Sequence, residues 1–231
     1  MSRSYLRLSY ETWREIFPHA PEAILQAFTD NPAPLNDAGI TETHIRLGYA
    51  LANVEHECRG FAIKNLTENI NYSAAGMAKT WPKRFSSASA VQARYGTARG
   101  WQIKAIDDIY GNRMGNRPNT SDGSRYIGRG GPQITGRGGY REVGRRTGLD
   151  LVNTPELATF PENQPSILAA FWSWKNLNTY ADLGDFKQCV EKWNGGFNGF
   201  ADRKSHLRQN DLVIRRLNFV SKLAKIIPGS T

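Results

Sequence analysis

Three carboxylates that could do acid–base chemistry lie close together in the chain: Glu55, Glu57 and Glu68. Glu55 and Glu57 close a run in which Leu47, Leu51, Val54 and Cys58 recur at helical spacing. At about 100° per residue the two glutamates flank that apolar stripe on opposite sides, so helical geometry does not choose between them. A carboxyl at the rim of a core face is partly desolvated, which raises its pKa and favours the acid form. Glu68 stands in the irregular polar run Thr67-Glu68-Asn69-Ile70-Asn71-Tyr72, where it should stay ionised. An acid and a base in contrasting surroundings are what hydrolysis of a glycosidic bond requires. Three solvated charges near a helix end would have the same spacing, so the glutamates alone leave the matter open.

A second stretch bears on the first. Tyr126-Ile127-Gly128-Arg129-Gly130-Gly131-Pro132-Gln133-Ile134-Thr135-Gly136 combines clustered glycines, a proline and a polar–apolar–polar alternation. Glycine permits close approach of the backbone to another surface. Pro132 restricts the segment to an edge strand or an ordered loop. If residues 133–135 are extended, Gln133 and Thr135 point to one side and Ile134 to the other. That arrangement gives an anchored floor, with Ile134 in the core and an amide and a hydroxyl facing a groove. A plain glycine-rich surface loop is the competing reading.

The elements that must position these residues are mostly helical. The pattern predicts helices over 9–19 and 21–29, a break at Asn31-Pro32-Ala33-Pro34, and a longer helix from about Glu42 to Cys58 with Thr41 as its N-cap. Ser73 caps a helix running to Trp81, and two more cover 87–95 and 98–110. A long loop rich in Gly, Asn and Arg follows from Asn112 to Gly131, of a length that in compact domains is usually functional or disordered. Helical pattern returns at 138–147, after Pro155 and Pro165, at 185–193, and from about 200 to 225. No convincing strand, repeat or linker interrupts it. The fold class expected is a mostly α-helical single domain, residues 1–231, with a long central loop region and a substrate groove.

A net charge of +9 in 231 residues points to a polyanionic partner such as nucleic acid, an anionic membrane surface or a bacterial cell wall. Met1 to Tyr10 has arginines but no apolar h-region, so no signal peptide is expected. No apolar run reaches the length of a membrane span. Cys58 and Cys189 read as free, buried thiols. No CxxC, HExxH or His-rich cluster is present, so neither a metal nor another cofactor is expected.

Val54-Glu55-His56-Glu57 followed by Glu68-Asn69-Ile70-Asn71-Tyr72-Ser73 resembles the two acidic motifs of the family 19 chitinase-like glycoside hydrolases, in particular their bacteriophage endolysin branch. Further stretches agree in the same order: Tyr110 to Asn116, Tyr126 to Gly136, Leu183-Gly184-Asp185, and Trp193 to Gly199. The resemblance spans roughly residues 10–210 and implies a lysozyme-like α-helical enzyme. It implies Glu57 as the general acid, Glu68 as the general base and Thr135 as a holder of the attacking water. Gln133 and Asn194 would line the sugar groove, as would Asn71, Tyr72, Tyr126 and Arg129. His56 falls on the helix face away from the stripe and reads as support. The chain departs from the family in two places. Gly139 precedes Tyr140 where the family often has asparagine, and the Glu57–Glu68 spacing is about two residues longer than is common in the phage branch.

With Glu68 on a loop beyond Gly60 and Thr135 to hold a water, inversion of the anomeric centre is expected. The substrate implied is the β-1,4-linked glycan of bacterial peptidoglycan. Chitin, being uncharged, gives the positive charge no obvious use. The endolysin resemblance further implies a monomer held in the host cytoplasm until a holin releases it to the wall, with no stable membrane insertion. Gly128-Arg129-Gly130-Gly131 and Gly136-Arg137-Gly138-Gly139 also resemble RGG-type nucleic-acid segments, but Pro132 to Thr135 between them is a pattern for ordered backbone.

Overall fold

The structure, a computed structural model, describes residues 5–226, with side chains as far as Arg216. The expectations placed on residues 1–4 and 227–231, at the two ends of the chain, lie outside the described residues. Three short helices lead in: α1 (Tyr10–Ile16), α2 (Glu22–Asp30) and α3 (Ala33–Asp37). The central helix α4 (His44–Cys58) follows. Next come α5 (Ala74–Thr80), α6 (Ala88–Tyr95), α7 (Trp101–Tyr110) and the single turn α8 (Asp122–Arg125). The second half holds α9 (Arg137–Thr147), α10 (Gln164–Trp174), α11 (Leu177–Asp182), α12 (Phe186–Asn194) and α13 (Phe200–Ile226). Among the described residues no helix is long and apolar enough to cross a membrane.

Local chemistry sets most boundaries. Ser9, Ser73, Ser87 and Asp185 each accept a backbone N–H in the first turn of α1, α5, α6 and α12. The helix around the first two glutamates starts later than the sequence suggests. Thr43, not Thr41, caps α4 by accepting the Arg46 amide at 3.1 Å. Residues 40–42 form a 3₁₀ turn in which Thr41 is buried and bonds Asn36. The break at 31–34 is shorter than expected, because prolines fit the first turn of α3. The stretch after Pro155 is 3₁₀ rather than α, and α8 and α11 are additional short helices.

The buried side chains fall into two apolar clusters. The larger joins α1, α2, α4 and α9 to α13. The smaller consists of Met77, Phe85, Val91, Ala105, Ile106, Ile109 and Ile127, contributed mainly by α5 to α7. The segment 126–136 ties the two together, since Tyr126 and Ile134 belong to the larger cluster and Ile127 to the smaller. Arg129 and Ile134 exchange backbone hydrogen bonds of 3.1 and 2.9 Å. The Glu68 amide donates to Gly128 O at 2.8 Å and the Gly130 amide to Leu66 O at 2.9 Å. Glu68 is thereby fixed on ordered backbone. Gln133 has φ +53, so 133–135 is not the regular extended run expected; a turn from Gly130 replaces it. Ile134 is nonetheless buried and Gln133 and Thr135 half-buried.

Gly131 shows why this segment is glycine-rich. Its amide donates to the buried Gln164 Oε1 at 2.9 Å, and a Cβ there would lie 2.5 Å from the Phe61 ring. Phe61 is held edge-on by Phe17 and packed on Phe28, so it has little room to yield. Gly131→Ala should therefore cost about 1–3 kcal/mol through overpacking. Urea unfolding reads this directly; an unshifted midpoint would contradict the packing described.

Candidate active site

A cavity of about 780 Å³ opens where α4, α9, α10, the end of α12 and the 132–135 turn meet. Tyr110, at the end of α7, brings the smaller cluster to its edge. Glu57, in the last turn of α4, is the one of the three glutamates that lines it. Its Oε1 accepts a hydrogen bond from Arg203 Nη2 at 2.5 Å. The Arg203 side chain is 1% exposed and that of Glu57 16%. Arg203 also donates to Asn53 Oδ1 at 2.7 Å and to Asn198 O at 3.3 Å. Asn53 lies one turn before Glu57 and donates in turn to Tyr49 O. A buried guanidinium with three acceptors thus fixes the Glu57 carboxyl, and its Oε2 has no hydrogen-bond partner among the described residues.

His56 supports the same junction, as its helix face implied. Its Nδ1 lies 2.6 Å from Asp202 Oδ2, next in sequence to Arg203. Gly199 passes directly beneath the imidazole, where a Cβ would sit 2.0 Å from His56 Cε1.

Glu55 takes the other direction. It does not line the cavity, and its Oε2 is buried without a hydrogen-bond partner among the described residues. Burial raises its pKa, opposed by His206 and His19 and reinforced by Asp202. The desolvated carboxyl expected beside the apolar stripe therefore exists, but it is Glu55, on the side of α4 away from the cavity. Glu57 is ion-paired instead.

Glu68 is half-buried and both its oxygens are held. Oε1 accepts from the Tyr110 hydroxyl at 3.1 Å and Oε2 from the Gly128 amide at 3.0 Å. It is not itself among the cavity-lining residues; Tyr110 links it to the wall. Burial and the nearby Glu68 push the Tyr110 phenol pKa upward, so this hydroxyl stays a donor.

Of the other residues expected at the site, Gln133, Thr135 and Asn194 line the cavity. Gln133 Nε2 donates to Gly130 O at 2.9 Å, and Thr135 Oγ1 donates to Gln133 O at 3.0 Å. Four do not line it. Tyr126 is 2% exposed and its hydroxyl donates to Val152 O, so it is a core residue. Arg129 is 9% exposed, donates to Arg125 O and the Tyr140 hydroxyl, and lies over the Tyr140 ring; it braces the segment from behind. Tyr72 packs against Trp81 in the smaller cluster, near enough to Glu68 for that carboxylate to raise its pKa alongside burial. Asn71 borders a separate hollow with Arg99 and Trp101. With Arg129 buried, the segment does not present the flexible basic strand of an RGG motif.

Arg203 and Tyr110 had no role assigned from sequence. One signal for Arg203 was available: it shares a stripe with Leu207, Asn210 and Ile214 on α13, all at helical spacing. A charge at a core position needs a buried partner. Nothing local to Tyr110 marks its contact with Glu68. Phe171, Trp174 and Trp193 form part of the cavity wall, with Phe171–Trp193 centroids 4.8 Å apart.

No family model matches the sequence. A protein of Haemophilus influenzae described as a glycosyl hydrolase family 19 domain-containing protein is 31% identical over 202 residues, covering 86% of this chain and 92% of the relative. The chain belongs to glycosyl hydrolase family 19 and is a glycoside hydrolase. Among solved structures it is similar to chitinase C from Streptomyces griseus HUT6037, with a TM-score of 0.55, 16% identity, and 93% of this chain and 95% of that one covered. A point variant of the same chitinase gives a TM-score of 0.53. At this identity the likeness concerns the fold, and it bears out the mostly helical, lysozyme-like architecture.

Arg203→Met would leave a carboxylate and an amide oxygen without their buried donor. The expected cost is about 3 kcal/mol of stability, toward the lower end for a broken buried pair because Glu57 can regain some water. A fall in turnover should accompany it. Denaturant unfolding and activity measured together check this; a variant with wild-type stability would show that the pair does not hold α13 to α4.

Proposed function

We propose that this chain is a peptidoglycan hydrolase of the endolysin type, cutting β-1,4 bonds of the cell-wall glycan by an inverting acid/base mechanism. The observation that carries the reading is the composition of one cavity. Glu57 and Tyr110, the latter bonded to Glu68, line it together with Thr135, Gln133 and Asn194. In this reading Glu57 acts in its protonated form: Oε1 keeps its bond from Arg203, Oε2 carries a proton taken up from solvent, and that proton passes to the glycosidic oxygen as the bond to the sugar breaks. Glu68, fixed by Tyr110 and Gly128, retains lone pairs for a water and accepts its proton as the water attacks. The Thr135 hydroxyl helps hold that water, while Gln133 and Asn194 offer amides to the sugar. An oxocarbenium-like centre forms between the two carboxyls. The choice of peptidoglycan over chitin rests on charge, since +9 favours an anionic polymer. In an endolysin role the enzyme would wait as a monomer in the host cytoplasm and reach the wall when a holin opens the membrane.

Two conservative variants test this. Glu57→Gln keeps shape and removes the proton to be donated, so turnover of purified murein should fall by about 10²-fold or more. Glu55→Gln should retain turnover. It should also be more stable than wild type at neutral pH. The folded-state pKa of Glu55 is raised, so the stability tied to its protonated form is complete below the unfolded value of about 4.3 and lost as pH rises through the folded value. Glutamine removes that loss. Near-normal lysis by Glu57→Gln, with Glu55→Gln inactive, would transfer the acid role to Glu55. Mass spectrometry of the wild-type digest should give muropeptides cut within the glycan; digestion of chitin oligomers but not of murein would replace the substrate proposed.

A further inference from the structure

Four charged side chains line the cavity: Glu57, Glu142, Arg141 and Lys175. The two carboxylates are each neutralised from outside it. Glu57 pairs with Arg203, and Glu142 pairs with Arg145 at 2.9 Å and Arg146 at 2.8 Å. The two cations have no ion pair among the described residues. The cavity therefore presents uncompensated positive charge on one wall, where α9 supplies Arg141 and the end of α10 supplies Lys175.

Lys175 is the more telling of the two. It is half-buried, with its ammonium 4.3 Å from the centre of the Trp174 ring and 5.5 Å from that of Phe171. It makes no side-chain hydrogen bond to the last carbonyls of α10 among the described residues, so capping that helix does not explain it. Burial lowers its pKa, and among the described residues no carboxylate stands beside it to offset the desolvation. A partly buried charge without a counterion is costly unless something else supplies one. Arg141 is exposed and adds a fork of donors suited to a carboxylate.

We propose that Arg141 and Lys175 form a carboxylate-recognising wall that engages an acidic substituent on the sugar bound in the cavity. This rests on the peptidoglycan reading and deepens it. A polymer of N-acetylglucosamine alone carries no carboxylate. Muramic acid carries a lactyl group whose carboxyl is either free or extended by a peptide with carboxylates of its own. Either source offers the same chemistry to the wall.

The test is equilibrium binding, carried out in the Glu57→Gln background so that strands are not consumed. Three probes of equal glycan length are compared: peptide-free murein strands, peptide-bearing strands, and peptide-free strands with carboxylates methyl-esterified. The esterified strands should bind about tenfold more weakly than at least one carboxylate form, a difference of ~1.4 kcal/mol. Whichever of the two carboxylate strands binds more tightly identifies the source. Lys175→Met with Arg141→Gln should erase the preference, Arg141→Gln alone should reduce it, and Lys175→Arg should retain it. Because Arg141 is exposed, its single variant should keep the fold even where the double one does not. Equal binding of esterified and charged strands, or a preference that survives in folded double variant, would overturn the proposal. Wild-type turnover of murein is followed in parallel. Carboxylate-dependent binding without turnover would count against the peptidoglycan hydrolase reading and not against the wall. Turnover without carboxylate preference would do the reverse.

Discussion

Arg203 is a guanidinium with a 1% exposed side chain, and a charge so placed is stable only if its donors find acceptors. Its partners Asn53 and Glu57 are one turn apart on α4, and Asn198 O comes from the loop that starts α13. Meeting this one requirement aligns α13 with α4 and points one carboxyl of three into the cavity. Neighbouring residues repeat the constraint. Asp202 holds His56, and Gly199 lies so close to the imidazole that no side chain would fit between them. The cost of burying a cation thereby fixes the direction of the group proposed to donate a proton.

The second carboxylate depends on a different device. Glu68 has no helix to hold it, and is instead bonded through its own backbone to Gly128 and through its side chain to Gly128 and Tyr110. Segment 126–136 can do this because it belongs to both apolar clusters at once, with Tyr126 and Ile134 in one and Ile127 in the other. Gln164 accepts the Gly131 amide, and Arg129 braces the segment from behind through Arg125 O and the Tyr140 hydroxyl. The two carboxylates thus hang from separate parts of the molecule, Glu57 from the α4–α13 pair and Glu68 from the junction with the smaller cluster.

Much of this was legible in the sequence, for identifiable reasons. Helical periodicity, with Ser73 as a cap, places most of the helices, because both signals are local. The alternation around Ile134 put Gln133 and Thr135 on the cavity side even though Gln133 adopts a left-handed turn rather than a strand. Long-range contacts were not legible. Nothing near Glu57 announces an arginine 146 residues later. Helix geometry could not separate Glu55 from Glu57, since the choice depends on distant parts of the chain: only Glu57 reaches the cavity, while His206, Asp202 and His19 act electrostatically on Glu55. Tyr126 and Arg129 were drawn toward the groove by the motif around them. Both face inward, where Val152 O and Tyr140 receive them, because a glycine-rich segment joined closely to its surroundings needs bracing as well as a working face.

In the proposed mechanism water held against Glu68, and not a carboxylate, attacks the sugar while Glu57 protonates the leaving oxygen. The anomer of the first product reports on this directly. Proton NMR of a β-linked murein oligosaccharide, recorded within the first turnovers and before mutarotation, should show the α-anomer accumulating first. An initial β-anomer would mean that a retaining mechanism operates, and would contradict the role given to Glu68.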